Sequence, residues 1–203
     1  MKAVFLNGSL KDSSHTSNTD ALADEVMQIW EEEGVQVEKI RLADYNIPYG
    51  VADDLGEGDD WPAIQAKIEE AEMVLLGTPV WLGEKSSMIT KAIERLNGSA
   101  SHTNEKGQGI YYDKVAGVVA TGNEDGAKHA IQSIVFGLSH LGFTLPPRPN
   151  CYWVGEAGPG PSFIEAEGIK SEFVQKHIPK LAYNMLHVGT ILKENPIPTK
   201  GNT

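Results

Sequence analysis

Hydroxyl side chains crowd residues 9–19, where Ser9, Ser13, Ser14, Thr16, Ser17 and Thr19 follow a short apolar run, Ala3-Val4-Phe5-Leu6, and the turn Asn7-Gly8. Such groups donate hydrogen bonds to a phosphate without adding charge. A helical pattern opens at Ser17, so unpaired N–H groups and the positive end of a helix dipole converge on the same spot. Lys11 is the nearest cation. Neither familiar nucleotide loop is present: the glycine after Gly8 is Gly34, which rules out G-x-G-x-x-G, and there is no G-x-x-x-x-G-K-[ST]. The chemistry that remains is a phosphate monoester held by hydroxyls and amides, as the first loop of an open doubly wound sheet holds a mononucleotide. A solvated loop whose serine caps a helix is the competing reading.

Two further segments point the same way. Met73-Val74-Leu75-Leu76-Gly77 reads as a central strand buried on both faces, and Thr78-Pro79-Val80-Trp81-Leu82-Gly83 follows as a loop in which Pro79 and Trp81 can pack along a planar ring. The competing reading places Trp81 in the core. After a strand at 114–121 comes Thr121-Gly122-Asn123-Glu124-Asp125-Gly126, whose polar, glycine-rich backbone can approach a ligand closely. In an open parallel sheet all strand-to-helix loops lie at the carboxyl edge, so these three meet in one crevice.

The elements that must position them alternate between apolar runs and helical periodicity, the pattern of an α/β protein with a parallel sheet covered on both faces. A strand at 2–7 leads to a helix at 17–33 with Ala21, Leu22, Val26, Ile29 and Trp30 at helical spacing. A strand at 35–42, of ambiguous face, precedes an acidic loop at 43–60. Asp60 then caps a helix with Pro62 just inside it. A helix through Met88 to Leu96 and another through Ile131 to Leu138 flank the strand at 114–121. A fifth strand lies between 143 and 154 and is broken by Pro146-Pro147-Arg148-Pro149. The last helix, from Phe163 or Gly168 to Lys193, contains Pro179, which should kink or split it. One domain at 1–193 and a flexible, proline-rich tail at 194–203 follow from this pattern.

Seventeen basic against twenty-eight acidic residues give a net charge of −11 over 203 residues, which disfavours nucleic acid and anionic membranes as partners. Cys151 is the single cysteine; it excludes an internal disulfide and points to a reducing compartment. With no signal-peptide core at the start and no apolar run of membrane-spanning length, a cytoplasmic protein is expected. Cys151 reads as structural, His129 as a solvated helix residue, and no general acid, general base or metal ligand is assigned.

Taken in order, Asn7-Gly8-Ser9-Leu10-Lys11 with Ser17-Asn18-Thr19, then Gly77-Thr78-Pro79-Val80-Trp81 with Ser86, then Thr121 to Gly126, resemble the NADPH-dependent FMN reductase family of the flavodoxin-like superfamily. The resemblance covers residues 1–155. It implies a five-stranded parallel sheet of order 2-1-3-4-5, with FMN phosphate at Ser9, Lys11, Ser17, Asn18 and Thr19. The ring would rest on Pro79, Val80, Trp81, Leu82 and Gly83, with Thr121, Gly122 and Asn123 at its polar edge. The activity implied is hydride transfer from NAD(P)H to FMN and on to a small acceptor such as a quinone or flavin. A flavodoxin-type electron carrier is the alternative, and the acidic surface suits it. The first loop departs from the family form in length and in carrying Leu10-Lys11.

Three other uses of similar folds or residues are set aside. A receiver domain needs acidic residues where this chain has Asn7 and Thr78, a C-x5-R phosphatase needs an arginine after Cys151, and a nucleophile elbow G-x-S-x-G is missing. Residues 152–192 match no motif. They hold Tyr152, Trp153, Phe163, Ile164, Phe173 and a further apolar series to Leu192, more than one closing helix needs, which predicts a homodimer or homotetramer.

Overall fold

The computed structural model describes residues 1–156, 158 and 160–203. Its strands are β1 (Lys2–Asn7), β2 (Gln36–Arg41), β3 (Met73–Trp81), β4 (Glu84–Lys85), β5 (Val115–Gly122) and β6 (Asn150–Val154). The helices are α1 (Asn18–Glu32), α2 (Trp61–Glu70), α3 (Ser87–Gly98), α4 (Ala127–His140) and α5 (Glu172–Glu194). The parallel strands run in the order β2-β1-β3-β5-β6, with the short β4 antiparallel to β3. Leaving β4 out of the numbering, this is the flavodoxin-like order 2-1-3-4-5 that the sequence predicts.

Two apolar layers sandwich the sheet. On one face Phe5, Leu75 and Val119 pack against Leu22, Val26 and Trp30 of α1 and Leu181 and Met185 of α5. On the other, Leu6, Leu76 and Ala116 meet Trp61 and Ile64 of α2, Ile89 and Leu96 of α3 and Ile134 of α4. The central strands are therefore apolar without alternation. The edge strand β2 does alternate: Val37 faces the α1/α5 layer and Ile40 the other.

Several local expectations change. β3 does not stop at Gly77 but continues through Pro79, which stands opposite Thr121, to Trp81. Leu82 and Gly83, at φ 51° and 78°, then form a two-residue hairpin turn into β4. The N–H of Trp61 at the start of α2 is satisfied by Asp59 Oδ1 at 2.9 Å, whereas Asp60 makes no side-chain cap and instead accepts from the Asn46 N–H at 2.7 Å. Pro179 sits inside α5 without dividing it. Phe163, Val174, Ile178, Leu181 and Met185, part of the apolar surplus, are buried within this one chain, while Ile164, Phe173 and Ile191 stay exposed. In the tail, Ile197 N donates to Asp113 Oδ1 at 2.7 Å and Gln108 Nε2 donates to the Ile197 carbonyl at 3.1 Å.

Candidate functional site

At the carboxyl edge the register sets Asn7 beside Gly77, Pro79 beside Thr121, and Thr121 beside Trp153. The loops that leave these positions enclose a cleft of about 240 Å³ lined by Ser9, Leu10, Lys11, Thr16 to Thr19, Pro79 to Trp81, Thr121 to Asn123, Ser162 and Phe163. Eleven residues expected from the sequence are therefore brought together: Ser9, Lys11, Ser17, Asn18, Thr19, Pro79, Val80, Trp81, Thr121, Gly122 and Asn123. Leu82 and Gly83 are not among the lining residues, and Leu82 is 93% exposed at the hairpin tip.

The first loop is held from beneath. The Asn7 side chain donates to Ser17 Oγ at 3.2 Å and to Asp20 Oδ1 at 2.5 Å and accepts from the Ser9 N–H at 2.8 Å. Ser17 caps α1 by accepting the Asp20 N–H, so the cap and the candidate anion site are the same piece of chain. Of the loop hydroxyls not assigned to the phosphate, Thr16 lines the cleft. Ser14 Oγ is instead bonded to Asp12 Oδ1 at 2.5 Å, and the Ser13 N–H donates to Asp44 Oδ1 at 2.8 Å. Asp12 is held down to about 2 by the Ser14 hydroxyl and by His15.

Arg41 escaped the motif reading. Its guanidinium is ion-paired with Asp20 and donates to the carbonyls of Lys11 and Asp12 at 3.1 and 2.9 Å. The pairing neutralises the carboxylate in the first turn of α1, where an anion would otherwise meet a like charge. The one sequence signal for it is register: Arg41 ends β2 directly beside Asn7.

The opposite side of the cleft is built from close backbone approach. Thr19 Oγ1 and Thr121 Oγ1 lie 3.0 Å apart and join the first loop to the third. A Cβ on Gly122 would come within 2.8 Å of Val80 Cβ, and one on Gly126, at φ +101°, within 2.4 Å of Gly83 Cα. The Leu82 N–H donates to Glu124 Oε1 at 2.6 Å, Glu84 pairs with His129 at 2.7 Å, and Lys85 reaches Ser133 Oγ at 2.9 Å. The hairpin is thus pinned to the loop before α4 and to α4 itself, and Trp81, 55% exposed, stands at the cleft. Ser86 caps α3 and donates to the Gly8 carbonyl at 2.6 Å, a structural role. The hydroxyls, the local charge balance and the open aromatic surface fit a flavin mononucleotide.

These features define a flavodoxin-like α/β protein with its cleft at the carboxyl edge of the sheet. The model of the NADPH-dependent FMN reductase family matches residues 1–157, and the chain belongs to that family. It is 33% identical to 8-demethyl-8-aminoriboflavin-5'-phosphate synthase of Streptomyces davaonensis, over 98% of this chain and 81% of that protein. The solved structure of RosB with bound 8-demethyl-8-formylriboflavin-5'-phosphate superposes with a TM-score of 0.90 at 33% identity, covering 97% of this chain and 82% of that one. A Mycobacterium bovis protein named divalent metal cation transporter MntH is 38% identical over 95% of this chain. This chain spans only 29% of that relative's length, and among the described residues no helix is long and apolar enough to cross a membrane.

Proposed function

We propose that this protein is an FMN-dependent NAD(P)H oxidoreductase whose acceptor is a small molecule such as a quinone or a flavin. The observation that carries the reading is the convergence of the hydroxyl loop, the end of β3 and the loop after β5 in one cleft. Ser9, Ser17, Asn18 and Thr19, with the amides at the start of α1 and the charge of Lys11, would hold the phosphate. Pro79, Val80 and Trp81 would support the ring, with Leu82 and Gly83 holding that platform from its tip and Thr121, Gly122 and Asn123 meeting the polar edge. FMN, when bound, supplies the hydride chemistry between nicotinamide and acceptor. The protein's part is position and electrostatics, with no general base of its own.

A second reading takes the flavin phosphate as substrate instead of resident cofactor. The identity to the Streptomyces davaonensis synthase along nearly the whole chain favours it. A flavodoxin-type carrier, supported by the net charge of −11, is the third. One experiment separates them: FMN-loaded protein is mixed with NADH or NADPH and a quinone or free flavin, and both nicotinamide oxidation and the mass of the recovered flavin are followed. Sustained oxidation with unaltered FMN supports the oxidoreductase. An altered flavin mass favours the second reading, and no turnover with retained one-electron cycling favours the carrier.

A further inference from the structure

Residues 160–164 lie beyond the portion matched by the family model, yet two of them, Ser162 and Phe163, line the cleft. Ties to both ends of the site hold them there. Asn123 Nδ2 donates to the Gly160 carbonyl at 3.1 Å, and the Ile164 N–H donates to Asn18 Oδ1 at 2.9 Å. Between these anchors Phe163 packs edge-on against Trp153, with ring centroids 5.6 Å apart. Gly168 makes room for it, since a Cβ there would come within 2.3 Å of Phe163 Cδ2. The segment therefore bridges the helix end, where the phosphate is placed, and the glycine-rich rim, where the ring is placed.

Charge decides what this wall can face. The Glu165 carboxylate accepts the Ser162 N–H at 2.9 Å, which sets a negative group directly behind Ser162 and makes that position unfavourable for a phosphate. An uncharged polyol or ring has no such conflict. Resting on the flavin reading above, we propose that Ser162, fixed in place by the buried Phe163 next to it, forms a third wall of the site and contacts the uncharged ribityl section of the flavin. Ser162 supplies a hydroxyl, the buried Phe163 positions it, and the phosphate is left to Ser9, Ser17, Asn18 and Thr19.

The test reads binding instead of turnover. The full chain stripped of flavin is titrated with FMN and, separately, with riboflavin by flavin fluorescence, alongside Ser162→Ala, Phe163→Leu and Ser9→Ala, with a thermal melt of each as the check on folding. The two wall variants should raise the dissociation constants for FMN and riboflavin by a similar factor, about 5- to 10-fold. Ser9→Ala should raise that for FMN alone. Wall variants that melt like the parent and bind both flavins equally well overturn the proposal, and so does a loss confined to FMN. Should Phe163→Leu not fold, Ser162→Ala decides. A parent that binds neither flavin overturns the flavin reading itself, a result distinct from a parent that binds and a wall that does not matter.

Discussion

Arg41 at the end of β2 is ion-paired with Asp20 in the first turn of α1, and the same guanidinium holds the Lys11 and Asp12 carbonyls. One side chain thereby ties the edge strand, the first loop and the helix end into a unit. It also cancels the charge that would repel a phosphate at that end.

Arg41→Gln should therefore lose on two counts. Asp20 keeps 28% exposure, so the stability loss is expected at about 2 kcal/mol, below the ~3–5 kcal/mol for breaking a fully buried pair. FMN affinity should fall about tenfold as the carboxylate is left uncancelled. Urea unfolding and FMN titration measure the two separately. Arg41→Lys should recover little, because an ammonium lacks the fork that reaches Asp20 and two carbonyls together.

The acidic loop before α2 depends on a second, fully buried pair. Arg95 and Asp59 meet at 2.6 Å with neither side chain exposed, and Arg95 Nε also donates to the Ala52 carbonyl at 2.7 Å. Burial pulls the Asp59 carboxyl upward, but the bonds from Arg95 and from the Trp61 and Leu55 N–H groups outweigh it and hold it below its ordinary 3.8. A depressed carboxyl contributes stability above its unfolded pKa and loses it as pH falls through the native one. Asp59→Asn should cost about 3–5 kcal/mol at neutral pH and flatten the acid limb of a stability-versus-pH curve relative to the parent.

Much of this architecture is legible in the residues, and the exceptions have physical causes. The continuous apolar run at 73–77 and the helical spacing from Leu22 to Trp30 place β3 and α1 because burial on two faces and on one stripe leave different patterns. The hairpin at 78–85 hides because proline lacks an N–H and leucine rarely takes positive φ, so Pro79 and Leu82 both argue for a loop. Ser162 and Phe163 carry no periodicity, and tertiary ties to Asn18 and Asn123 bring them to the site. Arg41 reads as one more edge-strand charge until the register sets it beside Asn7.

Gly126 is a conformational requirement of the site. Its φ of +101° and the 2.4 Å approach of a virtual Cβ to Gly83 Cα mean that Gly126→Ala must both strain its own backbone and displace the hairpin. A loss of about 2–3 kcal/mol is expected, together with weakened FMN binding, read by thermal melting and fluorescence titration. Gly34→Ala, also at positive φ but with nothing near its virtual Cβ, should lower stability while leaving FMN affinity unchanged.

Cys151 lies fully buried in the α1/α5 layer, and burial pushes its thiol from 9.0 up to about 12. Native protein should react slowly with a thiol reagent at pH 8 and promptly once unfolded. Between about pH 9 and 12 the unfolded chain has released this proton and the native one has not. Stability therefore falls as pH rises, by up to about 1.4 kcal/mol per pH unit from this group. Cys151→Ala should remove that part of the alkaline slope, as unfolding at stepped pH would show.

On the proposed function, the cleft between the first loop, β3 and the loop after β5 is a flavin mononucleotide site. Its most direct test is equilibrium titration of the flavin-free protein with FMN, run in parallel on Ser9→Ala and Thr19→Ala. Saturable binding by the parent, weakened about 10- to 100-fold in each variant by loss of a hydrogen bond directed at an anion, is the predicted result. A parent that leaves flavin absorbance and fluorescence unchanged, or variants that bind as tightly as the parent, would contradict it.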